Sequence, residues 1–410
     1  MLHNLNIQNL TALLIRYMVE VRSKYELSDV VLRFGKQLVE KEKLSAEQTK
    51  ALFNIIQCRT SKLGGHKEKC NDCGEQRYSY NSCGDRHCPK CQSNKQAIWV
   101  EQVTRTTLAV KHYHIIFTVP HCLNNICLWN PREYYKILFS AVWRTLHSFG
   151  YTHYGSETGA IAILHSWGQN LSLHPHIHCI VPAAGYSLKG EWKNIGKNEN
   201  YLYPVHQLSD TFKGKFLNSM KLRLKKLDAA DFFTLQIEKA YQSSWVVHSG
   251  YSMASANNVI HYLGQYTHRV AISNPRILDI TDTHVKFIAK DYRDGAKQKV
   301  VQLDGVEFLR RFCMHIMPKR FVRIRKYGIY NPITKRNMEL QFEPEQKPNI
   351  EELDKTKEKE TKAEMIIRLT GFDSSQCPKC KKGKMIVIEE LPRIRSPAGH
   401  LPSILLSLFM

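Results

Sequence analysis

One segment constrains the fold of this chain more than any other, the stretch LSLHPHIHCIVPAAG at Leu171–Gly185. His176 and His178 flank Ile177, and the residues that follow are typical of strands. Side chains two positions apart in a strand lie on the same face, so both imidazoles should point one way while Ile177 packs on the other face. Two neutral imidazoles on one face supply half of a divalent-metal site. The alternative is a half-buried strand whose histidines only meet solvent.

Two further segments have the character of strands. HYHIIFTVPH at His112–His121 is one, and Ala160–Trp167 is the other, joined by a polar loop to the strand His176–Pro182. Short connections of this kind favour antiparallel pairing. We therefore predict an α+β fold, in which a central antiparallel sheet is flanked by helices and its central strand carries the two histidines.

Upstream of these strands lies a cysteine-rich module. Cys70-x-x-Cys73 and Cys88-x-x-Cys91 are two knuckles separated by fourteen residues. Four thiolates at such spacing suit tetrahedral Zn²⁺, so we expect a ribbon-like module that gains folding energy from a structural zinc ion. With twelve cysteines and no export signal, metal binding is favoured over disulfides. Four neighbouring residues could build a second site or replace members of the first: Cys58, His66, Cys83 and His87.

The charge of the chain points to a polyanionic partner. Its formal net charge is +22, which favours nucleic acid, and no apolar run approaches the ~20 residues of a membrane span. A basic helix at Asp210–Lys226 and a basic stripe from Lys319 onward could follow phosphates, although a solvated helix face explains the first equally well. The candidate DNA-binding residues here are Lys213, Lys215, Lys319, Arg320, Arg323 and Arg325.

A helix is predicted from Ser255 or Asn257 to about Thr267. Tyr262 and Tyr266 lie four residues apart, hence on one helix face with about 5–6 Å between their Cβ atoms. A tyrosine pair at this spacing is usually core packing. The polar neighbours favour an active site instead, and they are His261, Gln265, His268 and Arg269, the last a further candidate DNA-binding residue.

The chain divides into four predicted regions. These are a helical N-terminal region (1–57), a zinc-binding domain (58–105), a catalytic domain (106–345), and a linker with a C-terminal tail (346–410). The tail contains Cys377-Pro-Lys-Cys380, a knuckle without a second one after it. Whether this knuckle binds zinc, for example with His400, is left open by the sequence.

Three segments in this order, NSCGDRHCPKCQ, HPHIHCIVPAAG and YLGQYTHRVAISN, resemble the two-tyrosine, HUH-type rolling-circle transposases of the insertion sequence ninety-one group. The similarity extends to HIIFTVP and to EFLRRF and MPKRFVRIRKYG. It implies an HUH endonuclease-like sheet and an enzyme that nicks and rejoins single-stranded DNA, at element ends and at a target, through a 5′-phosphotyrosine. It also implies a catalytic Mg²⁺ or Mn²⁺ and action in the bacterial cytoplasm, at the nucleoid.

Carried over residue by residue, the resemblance makes His176 and His178 ligands of the catalytic metal, and Tyr262 and Tyr266 the nucleophiles. A phenol with a pKa near 10 is a weak nucleophile at neutral pH, which accounts for the need of a metal. For the third metal ligand the candidates are Gln265, Gln169 and His174, in that order. His174 could alternatively orient an inner ligand.

Other functions fit less of the chain. A plasmid replication initiator or relaxase of HUH type would share the chemistry, but the cysteine module favours the transposase. A non-enzymatic, zinc-dependent DNA-binding regulator explains the charge and the cysteines, and leaves the HPHIH strand and the tyrosine face without a role. HPHIHCI also resembles the histidine-triad motif of nucleotide hydrolases, which accounts for neither the cysteines nor the charge.

Overall fold

The computed structural model describes residues 23–104, 107–108, 110–196, 200–250, 270–291, 294–295, 297–341, 360–371 and 373–394. Several predictions fall outside these ranges: the helix Ser255–Thr267 with Tyr262, Gln265, Tyr266 and Arg269, and most of the linker and His400.

The helices are α1 (Leu27–Lys41), α2 (Ala46–Gln57), α3 (Pro89–Thr104), α4 (Asn124–Trp129), α5 (Pro131–Tyr154), α6 (Val205–Lys226), α7 (Thr234–Gln242), α8 (Gly305–Met314), α9 (Pro332–Gln341) and α10 (Lys362–Thr370). The strands are β1 (Gly65–Cys70), β2 (Gln76–Tyr80), β3 (His112–Thr118), β4 (Ser156–Glu157), β5 (Gly159–Trp167), β6 (Leu173–Pro182), β7 (Ala184–Ser187), β8 (Trp192–Asn194), β9 (Val246–Ser249), β10 (Ile277–Ile280), β11 (His284–Asp291), β12 (Lys297–Asp304), β13 (Ile324–Gly328) and β14 (Met385–Leu391). No helix in these described parts is long and apolar enough to cross a membrane.

A five-stranded sheet forms the centre of the molecule, with strand order β13-β5-β6-β3-β9 and antiparallel pairing throughout. The histidine-bearing strand β6 lies in the middle, between β5 and β3. The predicted α+β class, with an antiparallel sheet flanked by helices, is therefore confirmed. Because β6 has a neighbour on each side, its backbone hydrogen bonds are made within the sheet and its side chains are held in fixed positions.

Helices α5 and α6 cover one face of this sheet. Phe117 of β3 meets Phe212 of α6 with 5.1 Å between ring centroids, and Tyr134 of α5 meets Phe216 at 5.5 Å. The sequence fixes where α5 begins, because Asn130 accepts a hydrogen bond from the Glu133 amide directly before Pro131. This apolar layer holds one face of the sheet rigid and leaves the other face for polar side chains.

The opposite face carries the histidines. Ile163 is paired with His178 and Ile161 with Ile180, so these side chains share that face. Beside the histidines this face also carries apolar side chains, and Ile161, Ile163 and Ile180 pack with Val103 of α3. Helix α3 therefore covers this part of the face.

Helices α1 and α2 pack on a second sheet, β10-β11-β12, together with α8. The Ser45 hydroxyl caps α2 by accepting a hydrogen bond from the backbone N–H of Gln48, and the side-chain oxygen of Gln48 accepts one from the backbone N–H of Ser45. A third sheet, β14-β1-β2, belongs to the cysteine module. It joins β14, from the region predicted as a separate tail, to β1 near the start of the chain. The boundaries of the four predicted regions stay a prediction.

Candidate active site and cysteine clusters

Three histidines converge on one face of the central sheet. His176 and His178 project from β6 on the same side, as the two-residue period predicts, and His165 joins them from β5, paired directly with His176. One ring nitrogen from each residue lies within 4.8 Å of the others. Ring centroids are 4.5 Å apart for His165 and His178, and 4.9 Å apart for His176 and His178. Three imidazoles at this spacing could hold one metal ion.

Hydrogen bonds orient two of these rings. The Nδ1–H of His176 donates to the backbone carbonyl of His174 at 2.7 Å, which leaves its Nε2 with a lone pair. Nδ1 of His178 lies 2.9 Å from Nε2 of His114, and the two rings are stacked. This contact uses Nδ1 of His178 and not Nε2. The arrangement is that of metal ligands held by outer partners.

Burial keeps these imidazoles neutral. It lowers the pKa of His176 to about 4, and it lowers the pKa of His178 well below the usual range, with the neighbouring histidines adding to the effect. The pKa of His114 is lowered to about 4, again mainly by burial. Neutral rings offer lone pairs at pH 7 without first losing a proton, which suits coordination of a cation.

The third histidine of the cluster, His165, is not among the third ligands predicted from the sequence. Of the predicted candidates, Gln265 lies outside the described residues. Gln169 lies in the loop after β5, where its backbone carbonyl accepts a hydrogen bond from Arg276. His174 contributes its carbonyl to His176, while its ring is tilted against that of His121 at 5.1 Å. A signal for His165 did exist, because the predicted strand Ala160–Trp167 contains this histidine and was expected beside His176.

Trp167 and Arg323 lie next to the histidine cluster. The ring of His165 stacks on Trp167 with 5.3 Å between centroids, and the guanidinium of Arg323 lies over the indole at 4.9 Å. Burial and the nearby charge of Arg86 lower the pKa of Arg323 to about 10, so the group stays positive at pH 7. A positive charge one side chain away from a candidate metal site would attract an anionic ligand.

Three of the six other predicted DNA-binding residues contact the protein itself. Lys213 donates to the carbonyls of Tyr241 and Ser243, and Lys215 donates to the carbonyl of Arg144 and the hydroxyl of Ser148. Arg325 lies over the ring of Phe139 at 4.1 Å. By contrast, Lys319 and Arg320 are exposed, and Arg269 is outside the described residues.

The four cysteines predicted to share one site are separated by the structure. Cys88 and Cys91 cluster with Cys58 and Cys83, whereas Cys70 and Cys73 cluster with Cys377 and Cys380. The hairpin of β1 and β2 explains why the two predicted knuckles lie apart. Cys58 and Cys83 lie beyond the open ends of β1 and β2, and Cys70–Cys73 form the turn at the far end. Since β1 has six residues, it spans about 20 Å, too far for the two knuckles to share an ion.

The first cluster, Cys58, Cys83, Cys88 and Cys91, has the dimensions of a zinc site. Its sulfur atoms lie within 4.8 Å of one another, with 3.5 Å between Cys58 and Cys91 and 3.6 Å between Cys83 and Cys91. A tetrahedron with Zn–S bonds of about 2.3 Å has edges of about 3.8 Å. Cys58 and Cys88 are fully buried and pack against α1 and α2, so this cluster fits a structural role.

The two histidines proposed as further zinc ligands are engaged elsewhere. His66 faces the carboxylate of Glu68 at 3.3 Å. His87 lies 3.0 Å from Asp85 through Nδ1, and its Nε2 accepts a hydrogen bond from the Met317 amide at 3.2 Å. Neither belongs to a cluster of metal-binding groups among the described residues.

Comparisons with known proteins agree on one class of enzyme. A family model described as "Putative transposase" matches residues 159–338, and one described as "Transposase zinc-binding domain" matches residues 30–119. The chain is 37% identical over 391 residues to "Putative transposase y4qJ" of Sinorhizobium fredii, covering 92% of this chain and 98% of that protein. It is 26% identical over 301 residues to "Transposase for insertion sequence element IS801" of Pseudomonas savastanoi pv. phaseolicola, covering 71% and 72%. No solved structure matches the chain.

Proposed function

This chain belongs to the insertion-sequence transposases with a zinc-binding domain of the insertion sequence ninety-one type, and from that membership we propose that it nicks and rejoins single-stranded DNA through a 5′-phosphotyrosine. The observation that carries the proposal is the cluster of His165, His176 and His178 on the central sheet, inside the region matched by the transposase model. Transposases act on DNA, and the net charge of +22 suits that partner.

The three-histidine cluster fits a divalent cation. Its donors are imidazole nitrogens, two of them oriented through their other ring nitrogen, and no carboxylate belongs to the cluster among the described residues. Mg²⁺ prefers oxygen ligands, whereas Mn²⁺ accepts imidazole more readily, so of these two ions the donor set favours Mn²⁺. The three ligands among the described residues leave room for a phosphate oxygen, which is the arrangement of a catalytic site rather than a closed structural one.

A cation bound there would polarise the scissile phosphate and stabilise the charge that develops on it. Other residues of the chain would position the ligands and add positive charge. His114 and the carbonyl of His174 hold the ligand rings in place, and Arg323 adds positive charge beside the site. Gly250, the last described residue before the segment 251–269, donates its backbone N–H to the carbonyl of His114.

In the proposed reaction a tyrosine hydroxyl loses its proton and its oxygen bonds to phosphorus. The bond from phosphorus to the 3′ oxygen breaks, and that oxygen leaves with a proton as a 3′-hydroxyl. The phosphotyrosyl bond retains the energy of the diester, so attack by another 3′-hydroxyl joins a new strand and frees the phenol without ATP. Two tyrosines allow two such cleavages in succession, at the donor and at the target.

The proposal is tested by mixing the purified chain with single-stranded element-end DNA and Mn²⁺ and resolving covalent adducts on a denaturing gel. We expect an adduct with the unaltered chain and with Tyr262→Phe or Tyr266→Phe alone, because either phenol can attack. Transposition, which needs two strand transfers, should fall sharply in each single variant. The double variant should form no adduct, and an adduct that persists in it would disprove the tyrosine assignment. If Tyr262→Phe alone removes every adduct while Tyr266→Phe transposes normally, the enzyme uses one tyrosine.

A further inference from the structure

We propose that Cys70, Cys73, Cys377 and Cys380 form a second zinc site, which fastens the C-terminal arm (residues 360–371 and 373–394) to the cysteine module. The sulfur atoms lie within 4.8 Å of one another. Cys70 and Cys380 are 3.7 Å apart and Cys73 and Cys377 are 3.6 Å apart, close to the edge of about 3.8 Å in a Zn–thiolate tetrahedron. Cys73 and Cys377 are 304 positions apart in sequence, and the zinc-binding family match ends at residue 119.

Both knuckles have backbone donors aimed at their sulfurs. The Asp72 amide donates to Sγ of Cys70 at 3.4 Å, and the Gly383 amide donates to Sγ of Cys380 at 3.3 Å. Such bonds stabilise thiolates, the form that binds a metal. The backbone of Gly383 lies so close to Cys70 that a Cβ added at Gly383 would be 2.5 Å from Sγ of Cys70. The backbone is therefore shaped around the four sulfurs.

The two knuckles interlock outside the cluster as well. The Asn71 amide donates to the carbonyl of Lys384 at 3.1 Å, and the Lys384 amide donates to the side chain of Asn71 at 2.8 Å. Strand β14 continues from there as the antiparallel partner of β1. Lys379 forms an ion pair with Glu75 at 2.8 Å. These contacts align the sulfurs, and a bound ion would fix the alignment.

Zinc suits this set better than the alternatives. Four thiolates in a tetrahedron select Zn²⁺ or a single iron ion, and they fill every position, so the site is closed and structural. Two disulfides would bring paired sulfurs to about 2.05 Å, far below the observed separations. Cys73 is exposed and Cys380 half-buried, whereas Cys58 and Cys88 of the first cluster are buried. A chelator should therefore remove the ion of the second site first.

Fastening the arm has a consequence for the candidate active site. Arg368 of α10 forms an ion pair at 3.0 Å with Glu101 of α3, and α3 packs through Val103 on the face of the central sheet that carries the histidines. A zinc link between residues so distant in sequence also removes much conformational freedom from the unfolded chain, as any long-range cross-link does. The second site would thus hold α10 against the helix that covers this face.

The experiment counts zinc by elemental analysis in the full-length chain carrying His176→Ala and His178→Ala, so that the histidine cluster adds no ion. We expect two zinc ions per chain in this background, and one after Cys377→Ser and Cys380→Ser are added. Cys122→Ser, outside both clusters, is the matched control and should retain two. A quadruple variant that still holds two ions, a background that holds one, or iron in place of zinc would overturn the proposal.

Two further measurements distinguish loss of the zinc site from loss of folding. Cys73→Ser removes the most exposed ligand and should lower the zinc content while circular dichroism stays unchanged. Gly383→Ala keeps all four sulfurs but crowds Cys70, and we expect the zinc of the second site to leave several-fold faster in the presence of a chelator. Unchanged zinc content in Cys73→Ser together with an unchanged release rate in Gly383→Ala would contradict the site. Because the assay measures zinc and not DNA cleavage, its outcome is independent of the proposed strand transfer.

Discussion

The histidine cluster and the first cysteine cluster have similarly spaced ligand atoms, but they suit different roles. His165, His176 and His178 project from paired strands of the central sheet, while the cysteines come from the end of α2, the loop before α3 and the first turn of α3. The histidines offer three ligands, and the cysteines offer four. A closed set fits a structural ion, and an open set fits one that binds substrate. The difference predicts that ligand loss damages folding at one site and chemistry at the other.

The largest effect on stability should follow loss of a buried cysteine. Cys88 is 1% exposed and lies among apolar side chains, so Cys88→Ser should release the zinc and leave the other three thiols, two of them buried, without it. We expect a loss of more than about 4 kcal/mol in the free energy of unfolding, measured by urea denaturation. Cys122→Ser should change it by less than about 1 kcal/mol. Equal stability of the two variants would remove the distinction between the sites.

A large effect on activity, without loss of stability, is expected at the third histidine. His165→Ala should lower adduct formation by at least about 100-fold, since even outer partners of metal ligands contribute about 10–100-fold. Part of the loss should be recovered by raising the Mn²⁺ concentration. Gln169→Ala, in the loop after β5, is the comparison and should stay within about twofold. The reverse order would make Gln169 the ligand.

A smaller effect is expected at His114, which contacts His178 but does not belong to the histidine cluster. His114→Phe keeps a ring on the central sheet but removes the nitrogen 2.9 Å from Nδ1 of His178. The affinity for Mn²⁺, measured from the dependence of the cleavage rate on Mn²⁺ concentration, should fall about 10-fold. His206→Phe, at an exposed position of α6, is the control and should have no effect. An unchanged affinity in His114→Phe would show that the His114–His178 contact only serves packing.

The smallest effect concerns the loop that connects the two regions. Arg86 donates to the carbonyls of Met317, Pro318 and Phe321, so the cysteine module supports the loop that exposes Lys319 and Arg320. Replacing Lys319 and Arg320 together by Ala should weaken DNA binding a few-fold. The slope of log K against log salt concentration should become shallower by about 0.7–0.9 for each lost phosphate contact. Lys213→Ala should leave the salt dependence unchanged, because Lys213 binds carbonyls of α7 and its end. A lower salt slope in Lys213→Ala would restore that residue to the DNA surface.

What could be predicted from the sequence is what depends on local periodicity. The two-residue period places His176 and His178 on one face, and the short connection between two predicted strands favours the antiparallel pairing of β5 with β6. The α+β class and the transposase family were predicted correctly. In each case residues close in sequence carry the signal.

What could not be predicted depends on pairing between distant residues. A knuckle shows that it binds a metal but not which second knuckle it meets, and here the hairpin separates Cys70–Cys73 from Cys88–Cys91. The partner of Cys73 lies 304 positions away and is brought near by β14. Likewise the basic spacing of Lys213 and Lys215 does not reveal that backbone carbonyls of neighbouring helices lie within their reach.

The central claim is that the histidine cluster carries out the chemistry and the cysteines hold the fold. Its most direct test compares the unaltered chain with the variant His176→Ala, His178→Ala for nicking of single-stranded element-end DNA in Mn²⁺. Thermal unfolding and DNA affinity are measured on the same preparations. We expect nicking to fall by at least about 10³-fold, since loss of one electrostatic stabiliser alone costs about 10²–10³. Unfolding and affinity should stay nearly unchanged. A variant that nicks at the original rate, or one that unfolds as Cys88→Ser does, would contradict the account.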